Sequence, residues 1–279
     1  MATTPTRTLQ DGTTLPATGF GTYPLTGEDG IRAMVSALEA GYRLLDTAVN
    51  YGNEAEVGEA IRRSGVPREQ IVVQTKVPGR DHAFDKAVAS IEGSLERLGV
   101  EQVDVALIHW PNPSVGLYVD AYRALVECRE RGLVRSVGVS NFTERHLADV
   151  IDATGVTPVL NQVELHPLFP QEQLRATHER LGILTEAWSP LGKRNAPFGA
   201  DPVAAAAEAH GVTPAQAILR WHVQLGVVPL PKSADPERQR TNLDLFGFEL
   251  SADEVAAISA LAREDGRLFG GDPDTHEEM

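Results

Sequence analysis

Two spacings of apolar residues alternate along the chain. In "EDGIRAMVSALEAG", residues 28–41, Ile31, Met34, Val35 and Leu38 fall at i, i+3, i+4 and i+7. That is the stripe of an amphipathic helix, and Gly41 ends it. "FDKAVASIEGSLERLG" likewise places Val88, Ile91, Leu95 and Leu98 on one helical face. Between such segments stand short apolar runs of strand character: "YRLLDTA", "QIVVQTKV", "VDVALIHW", "VRSVGVSN", "PVLNQVEL", "GILTEAWSP" and "GVVPLPKS". With "TGFGTY" ahead of the first helix, the strands number eight. "RTLQDGTTLP", with Asp11-Gly12 between two short runs, predicts a hairpin in front of them. In "LLDTAVNYGNEAEVG", residues 44–58, a strand gives way to a helix that Asn53 can cap, and with Glu56 three residues later the pattern is close to a capping box.

Eight strands alternating with helices over about 250 residues predict an α/β fold, a (β/α)8 TIM barrel with an N-terminal β-hairpin. A doubly wound sheet would carry an early G-x-G-x-x-G turn. Gly19 and Gly21 have the first spacing, but the third glycine is missing. No linker or repeat breaks the pattern, so residues 1–279 read as one domain, and the polar, Gly-rich "EDGRLFGGDPDTHEEM" reads as a loop.

Each strand is apolar in its body and polar at its C-terminal end. In order, the ends carry Thr22 and Tyr23; Asp46; Lys76; His109; Ser140 and Asn141; Gln162 and Glu164; Trp188 and Ser189; Lys232 and Ser233. In a (β/α)8 barrel these ends meet on one face, where active sites lie. Proximity to solvent accounts for a polar residue or two. It accounts poorly for an Asp, a Lys and a His emerging from "LLD", "VVQTK" and "VALIH".

If they converge, Asp46 and Lys76 form a buried ion pair, each being costly to bury alone. Asp46 then keeps Lys76 protonated, and the ammonium favours the phenolate of a neighbouring Tyr51. A unit charge about 4 Å away at an effective dielectric near 20 is worth at most about 3 pK units, which would bring Tyr51 from near 10 to around neutrality. Tyr51 would be poised as general acid or base, and His109 could orient a substrate oxygen. A carbonyl receiving a hydride fits, because the alkoxide needs a proton.

The net charge of −14 repels nucleic acid and anionic lipid, so neither is expected as a partner. It would also repel an anionic ligand that had no basic pocket. "PKSADPERQR" supplies one, gathering Lys232, Arg238 and Arg240 after the last strand, beside a helix start that adds N–H donors. Cys128 is the single cysteine, so no internal disulfide forms, and a reducing cytoplasmic location is expected. The N-terminus lacks the apolar core of a signal peptide, and no run has the roughly 18 apolar residues of a membrane helix.

"LLDTAVNYGNEAEVGEAI", "VVQTKV", "VALIHWP", "SVGVSNF", "NQVELHP" and "PKSADPER", in this order and spacing, resemble the aldo-keto reductases along nearly the whole chain. Among them, the bacterial 2,5-diketo-D-gluconate reductase-like and prostaglandin-F-synthase-like members are most similar. The resemblance implies NADPH-dependent reduction of aldehydes or ketones to alcohols, with keto-sugars and α-dicarbonyls among the candidates. It matches Asp46, Tyr51, Lys76 and His109 to the catalytic positions, with Tyr51 as proton donor. Ser140, Asn141 and Gln162 match contacts to the nicotinamide amide, and Trp188 matches the aromatic stacked on its ring. Ser189, Leu191 and Gly192 match the pyrophosphate-facing loop. Lys232, Ser233 and Arg238 match the grip on the 2′-phosphate, Asn242 contacts the adenine end, and Thr22 is also assigned to the cofactor. Tyr23, Trp110 and a C-terminal loop over the active-site face are matched to the substrate. Thr241 departs from the pattern, since many members have a glutamate against the adenine there. No coiled-coil seam is visible and many relatives are monomers, so a monomer is expected.

The remaining candidates read as structural. Cys128 lies in a helical segment and reads as core, as do Trp221 and Leu225; His82, His146, His178 and His210 read as surface, and His166 as structural beside the site. The short "PNPSVGLY" loop suggests an open pocket for compact carbonyls. Three rivals have distinct signatures. A Schiff-base lyase would need a neutral Lys76. A metal-dependent hydrolase would need Asp46, His109 and His166 as ligands, although no H-x-H motif occurs. A non-catalytic NADPH sensor would lack turnover.

Overall fold

The structure is a computed structural model, of which residues 4–278 are described. Strands β1 (Thr6–Thr8) and β2 (Thr14–Pro16) pair antiparallel as the predicted hairpin. Eight parallel strands follow: β3 (Phe20–Gly21), β4 (Leu44–Asp46), β5 (Val72–Val77), β6 (Val103–Ile108), β7 (Val134–Ser140), β8 (Leu160–Glu164), β9 (Leu184–Trp188) and β10 (Val228–Pro229). They neighbour one another in sequence order. Each parallel step needs a crossover. Helices provide it: α1 (Gly27–Ala40), α2 (Glu54–Ser64), α3 (Phe84–Leu98), α4 (Tyr118–Glu130), α5 (Glu144–Thr154), α6 (Glu172–Leu181) and the pair α7 (Asp201–His210) and α8 (Pro214–Gln224). Helices α9 (Pro236–Leu243) and α10 (Ala252–Ser259) precede the tail, which is a loop as expected.

The first and last strands meet through Gly19 N–H to Pro229 O (3.0 Å) and Gly21 N–H to Pro231 O (3.1 Å), so the sheet closes into a barrel. Both glycines matter for close approach. A Cβ on Gly19 would lie 2.6 Å from a Leu230 methyl, and one on Gly21 would lie 3.1 Å from the Leu230 carbonyl oxygen.

Strand alternation splits the core in two. Val73, Val77, Ala106, Ile108, Val137 and Val139 point outward against the apolar stripes of the helices; in α1 that stripe is Ile31, Met34, Ala37 and Leu38. Val105, Leu107 and Leu160 point inward and meet Leu9 and Leu15 of the hairpin, which plugs the N-terminal end. The opposite end is left for polar side chains.

The capping box at α2 does not form. Asn53 occupies the N-cap position without a side-chain cap. Its amide instead donates to the carbonyls of Thr22 (3.1 Å) and Leu25 (2.9 Å) and its oxygen accepts from Thr47 Oγ1 (2.7 Å), while Glu56 turns to the Gly27 N–H. Asn53 thus ties two strand-end loops together, a role set by residues roughly thirty positions away in sequence.

Candidate active site

Lys76 ends the inward series Val72, Gln74, Lys76 of β5, and its side chain is fully buried. Its Nζ lies 2.5 Å from Asp46 Oδ1, 2.9 Å from the Thr47 carbonyl and 3.4 Å from the Tyr51 hydroxyl. Burial lowers its pKa, but Asp46 and then Tyr51 outweigh burial and hold the pKa above the usual lysine value. A protonated lysine is no Schiff-base nucleophile. Tyr51 sits on a single 3-10 turn, Val49–Tyr51, with its ring 5.1 Å from that of Tyr23 and 5.7 Å from that of His109. The four expected catalytic side chains therefore converge, with Tyr23 beside them.

The expected tuning of Tyr51 is corrected by its surroundings. Desolvation pushes its hydroxyl up to about 12; Lys76 lowers it, but Asp46 and Glu278 raise it again. The counterion that holds Lys76 cancels much of the lysine's field at the tyrosine, so the resting residue is a protonated phenol.

Beneath this pair lies a polar layer in which Gln74 and Glu186 were not among the residues expected at the site. Gln74 Nε2 donates to Asp46 Oδ1 (2.8 Å) and Glu186 Oε2 (2.7 Å); Gln162 Nε2 donates to the same two oxygens at 2.9 and 3.2 Å. Gln74 shares inward parity with Lys76, and Glu186 with Trp188. That alternation was the available signal.

Ser140, Asn141, Gln162 and Trp188 are joined. Ser140 Oγ donates to the Gln162 carbonyl (2.7 Å), Asn141 Nδ2 to the His109 carbonyl (2.9 Å), and Trp188 Nε1 to Asn141 Oδ1 (2.8 Å). Asn141 (φ 61°) and Ser189 (φ 49°) adopt left-handed backbone at strand ends, a strain typical of functional sites. Lys232 and Arg238 are exposed after β10, while Ser233 and Asn242 are buried and Leu191 is half-buried. The helix start adds less than expected, because Asp235 already accepts the Glu237 and Arg238 N–H groups of α9.

The tail crosses the strand ends and covers part of the pocket that the short loop was expected to leave open. Phe269 stacks on Trp188 at 5.7 Å, and His276 lies 4.2 Å from Trp110. Asn112 Nδ2 donates to the Glu278 carbonyl, and Glu278 Oε1 stands 2.9 Å from His109 Nδ1. A cavity of about 30 Å3 remains beside Asn141, Glu164 and Trp188. A cavity of about 600 Å3 lies elsewhere, between α4 and α5, and no catalytic candidate lines it.

Three histidines expected at the surface are buried: His82, His146 and His178. His210 is half-buried against Glu254. His166 is buried, with Nε2 3.0 Å from Glu164 Oε1, which also accepts the Leu268 N–H of the tail. Cys128 and Trp221 are core, with Leu225 packed against it. Among the described residues, no three His, Cys, Asp or Glu side chains gather to hold a metal, and no helix is long and apolar enough to cross a membrane.

The pattern of the Aldo/keto reductase family matches residues 17–196 and 199–263. The chain belongs to that family. As a member it is an NADP-dependent oxidoreductase. It is 58% identical over 279 residues, all of both chains, to 2,5-diketo-D-gluconic acid reductase B of Corynebacterium sp. (strain SHS752001). An aldo-keto reductase of Mycolicibacterium smegmatis is 48% identical over 97% of this chain and 98% of its own. Among solved structures, a Bombyx mori aldo-keto reductase in complex with NADP superposes with a TM-score of 0.91 at 32% identity, covering 99% of both chains. A Gox0644 mutant in complex with NADPH gives 0.94 at 40% identity, covering 99% of this chain and 100% of its own.

Proposed function

We propose that this aldo-keto reductase reduces small aldehydes and ketones, with Tyr51 giving the proton to the carbonyl oxygen. The observation that carries the reading is Lys76 Nζ, held between Asp46 Oδ1 at 2.5 Å and the Tyr51 hydroxyl at 3.4 Å. A donor must hold its proton until charge develops, and Tyr51, pushed up to about 12, does so at neutral pH. An alkoxide forming beside it is a far stronger base, and the Lys76 ammonium stabilises the phenolate left behind. Asp46 keeps that ammonium charged. His109, whose ring lies edge-on to Tyr51, orients the same oxygen.

The donor set fits NADPH, which when bound supplies the hydride. Lys232 and Arg238, with Ser233, would take the 2′-phosphate, since exposed cations suit a phosphate dianion. Asn242 would face the adenine end. The loop from Ser189 to Leu191 would follow the pyrophosphate, and Trp188 would stack on the ring. Ser140, Asn141 and Gln162 would orient the carboxamide, with Thr22 nearby. Tyr23 and Trp110 would flank the substrate. The name of the Corynebacterium relative supports keto-sugar acids as the first compounds to assay. The same reading has residues 1–279 acting as one catalytic barrel, a monomer in a reducing cytoplasm. The buried Cys128 thiol, pushed up to about 11 by desolvation, suits that setting.

Tyr51→Phe tests the central role. NADPH-dependent reduction should fall by about 10²–10⁴, the range for a lost general acid, while NADPH still quenches tryptophan fluorescence. A variant keeping more than about a tenth of the wild-type kcat would remove Tyr51 from the role.

A further inference from the structure

We propose that Glu186 is a positioning residue for carbonyl reduction: a buried carboxyl that clamps Asp46 through two amide bridges and whose charge sets how readily Tyr51 releases its proton. The proposal rests on Tyr51 being the donor.

Glu186 lies mid-strand in β9 and is fully buried inside the barrel. Its Oε2 accepts from the Gln74 and Gln162 amides, and its Oε1 has no partner. The same two amides donate to Asp46 Oδ1. The two carboxyls are therefore joined through a pair of amides, and Lys76 donates to the same Asp46 oxygen as those amides. Stability alone does not ask for this, because an unpaired buried carboxyl is costly and an apolar side chain of similar volume is not. The layer below is built that way, from Leu44, Leu184 and Val228.

The charge of Glu186 has a direct consequence. With Glu186 neutral, Asp46 and Lys76 balance. With Glu186 ionised, two carboxylates stand under one ammonium, and the extra negative charge opposes the phenolate that Tyr51 must become. Asp46 and Lys76 are the charged groups facing Glu186, Gln74 and Gln162 the polar ones, and β10 presents Val228. Burial first and Asp46 second push the carboxyl up to about 7, so both states are reached near neutral pH.

The experiment is kcat against pH for NADPH-dependent reduction of an α-dicarbonyl such as methylglyoxal, in wild type, Glu186→Gln and Gln74→Met. Wild type should lose roughly three- to tenfold as pH rises through 7, from one added charge in the protein interior. Glu186→Gln keeps an acceptor oxygen, cannot ionise, and should lose that limb whatever its plateau. Gln74→Met deletes a donor to both carboxylates and should move the limb to higher pH. Should Glu186→Gln fail to fold, the Gln74→Met shift decides, together with a protonated-carboxyl infrared band in wild type that fades along the same limb. A wild type without the limb, or a Glu186→Gln profile that superimposes on it, overturns the proposal. Activity surviving in Tyr51→Phe would instead overturn the assignment of the donor.

Discussion

His178 shows how a single polar residue is fixed by partners that its own sequence neighbourhood does not reveal. Asn161 Nδ2 points an N–H at its Nε2 (3.0 Å), so the ring's one proton sits on Nδ1 and is given to Thr185 Oγ1 (2.8 Å). A second proton would set two donors against each other, and burial pushes the pKa down to about 4. In the unfolded chain it returns to about 6.5. A depressed folded pKa contributes stability that is complete above pH 6.5 and disappears as pH falls through about 4. The shift corresponds to about 3 kcal/mol. His82, also pushed down to about 4 by burial, acts with the same sign. Urea midpoints should hold steady from pH 8 to 6.5 as far as these groups are concerned, then fall toward pH 4, and His178→Gln should make the fall shallower. An acid loss of unchanged size in that variant would assign it to other groups. Nothing local in "RATHERLG" announces this burial, because the partners come from strands β8 and β9.

At the level of elements, the sequence was most legible where one period repeats. Strand bodies and helix stripes followed from alternation, and the strand-end residues gathered as expected because parallel closure leaves them one common face. Gln74 and Glu186 obey the same alternation, but a glutamate inside a strand reads as a surface residue until the barrel closes around it. The tail was legible only as a loop. Its polar letters do not say that Glu278 turns back to His109. There its carboxylate is held below its usual pKa, desolvation being outweighed by His109. That contact occupies the histidine proposed to orient the substrate. Glu278→Gln should therefore lower KM for the carbonyl by about tenfold at most, or about 1.4 kcal/mol, for a close but partly exposed contact of 2.9 Å. Steady-state kinetics would check it. A KM that stays the same or rises would mean that the tail helps to bind the substrate.

At the scale of the molecule, a net charge of −14 surrounds a patch of exposed cations after β10, and the site proposed for an anionic cofactor is that exception. The same corner holds the barrel's closure, which is uneven. Leu230 donates back to Ala187 of β9, but Pro229 and Pro231 face the first strand with carbonyls alone, having no N–H to return. A ladder that runs in one direction is the natural place for a cylinder to breathe. Hydrogen–deuterium exchange should find the amides of Gly19 and Gly21 opening sooner than the mid-strand amides of β5 and β6, and equal protection would show the seam to be as firm as the rest. Thr22 and Lys232 stand at the two lips of that seam, so a ligand gripped by both would act as a stitch, slowing exchange at Gly21 and linking occupancy to the stiffness of the whole barrel.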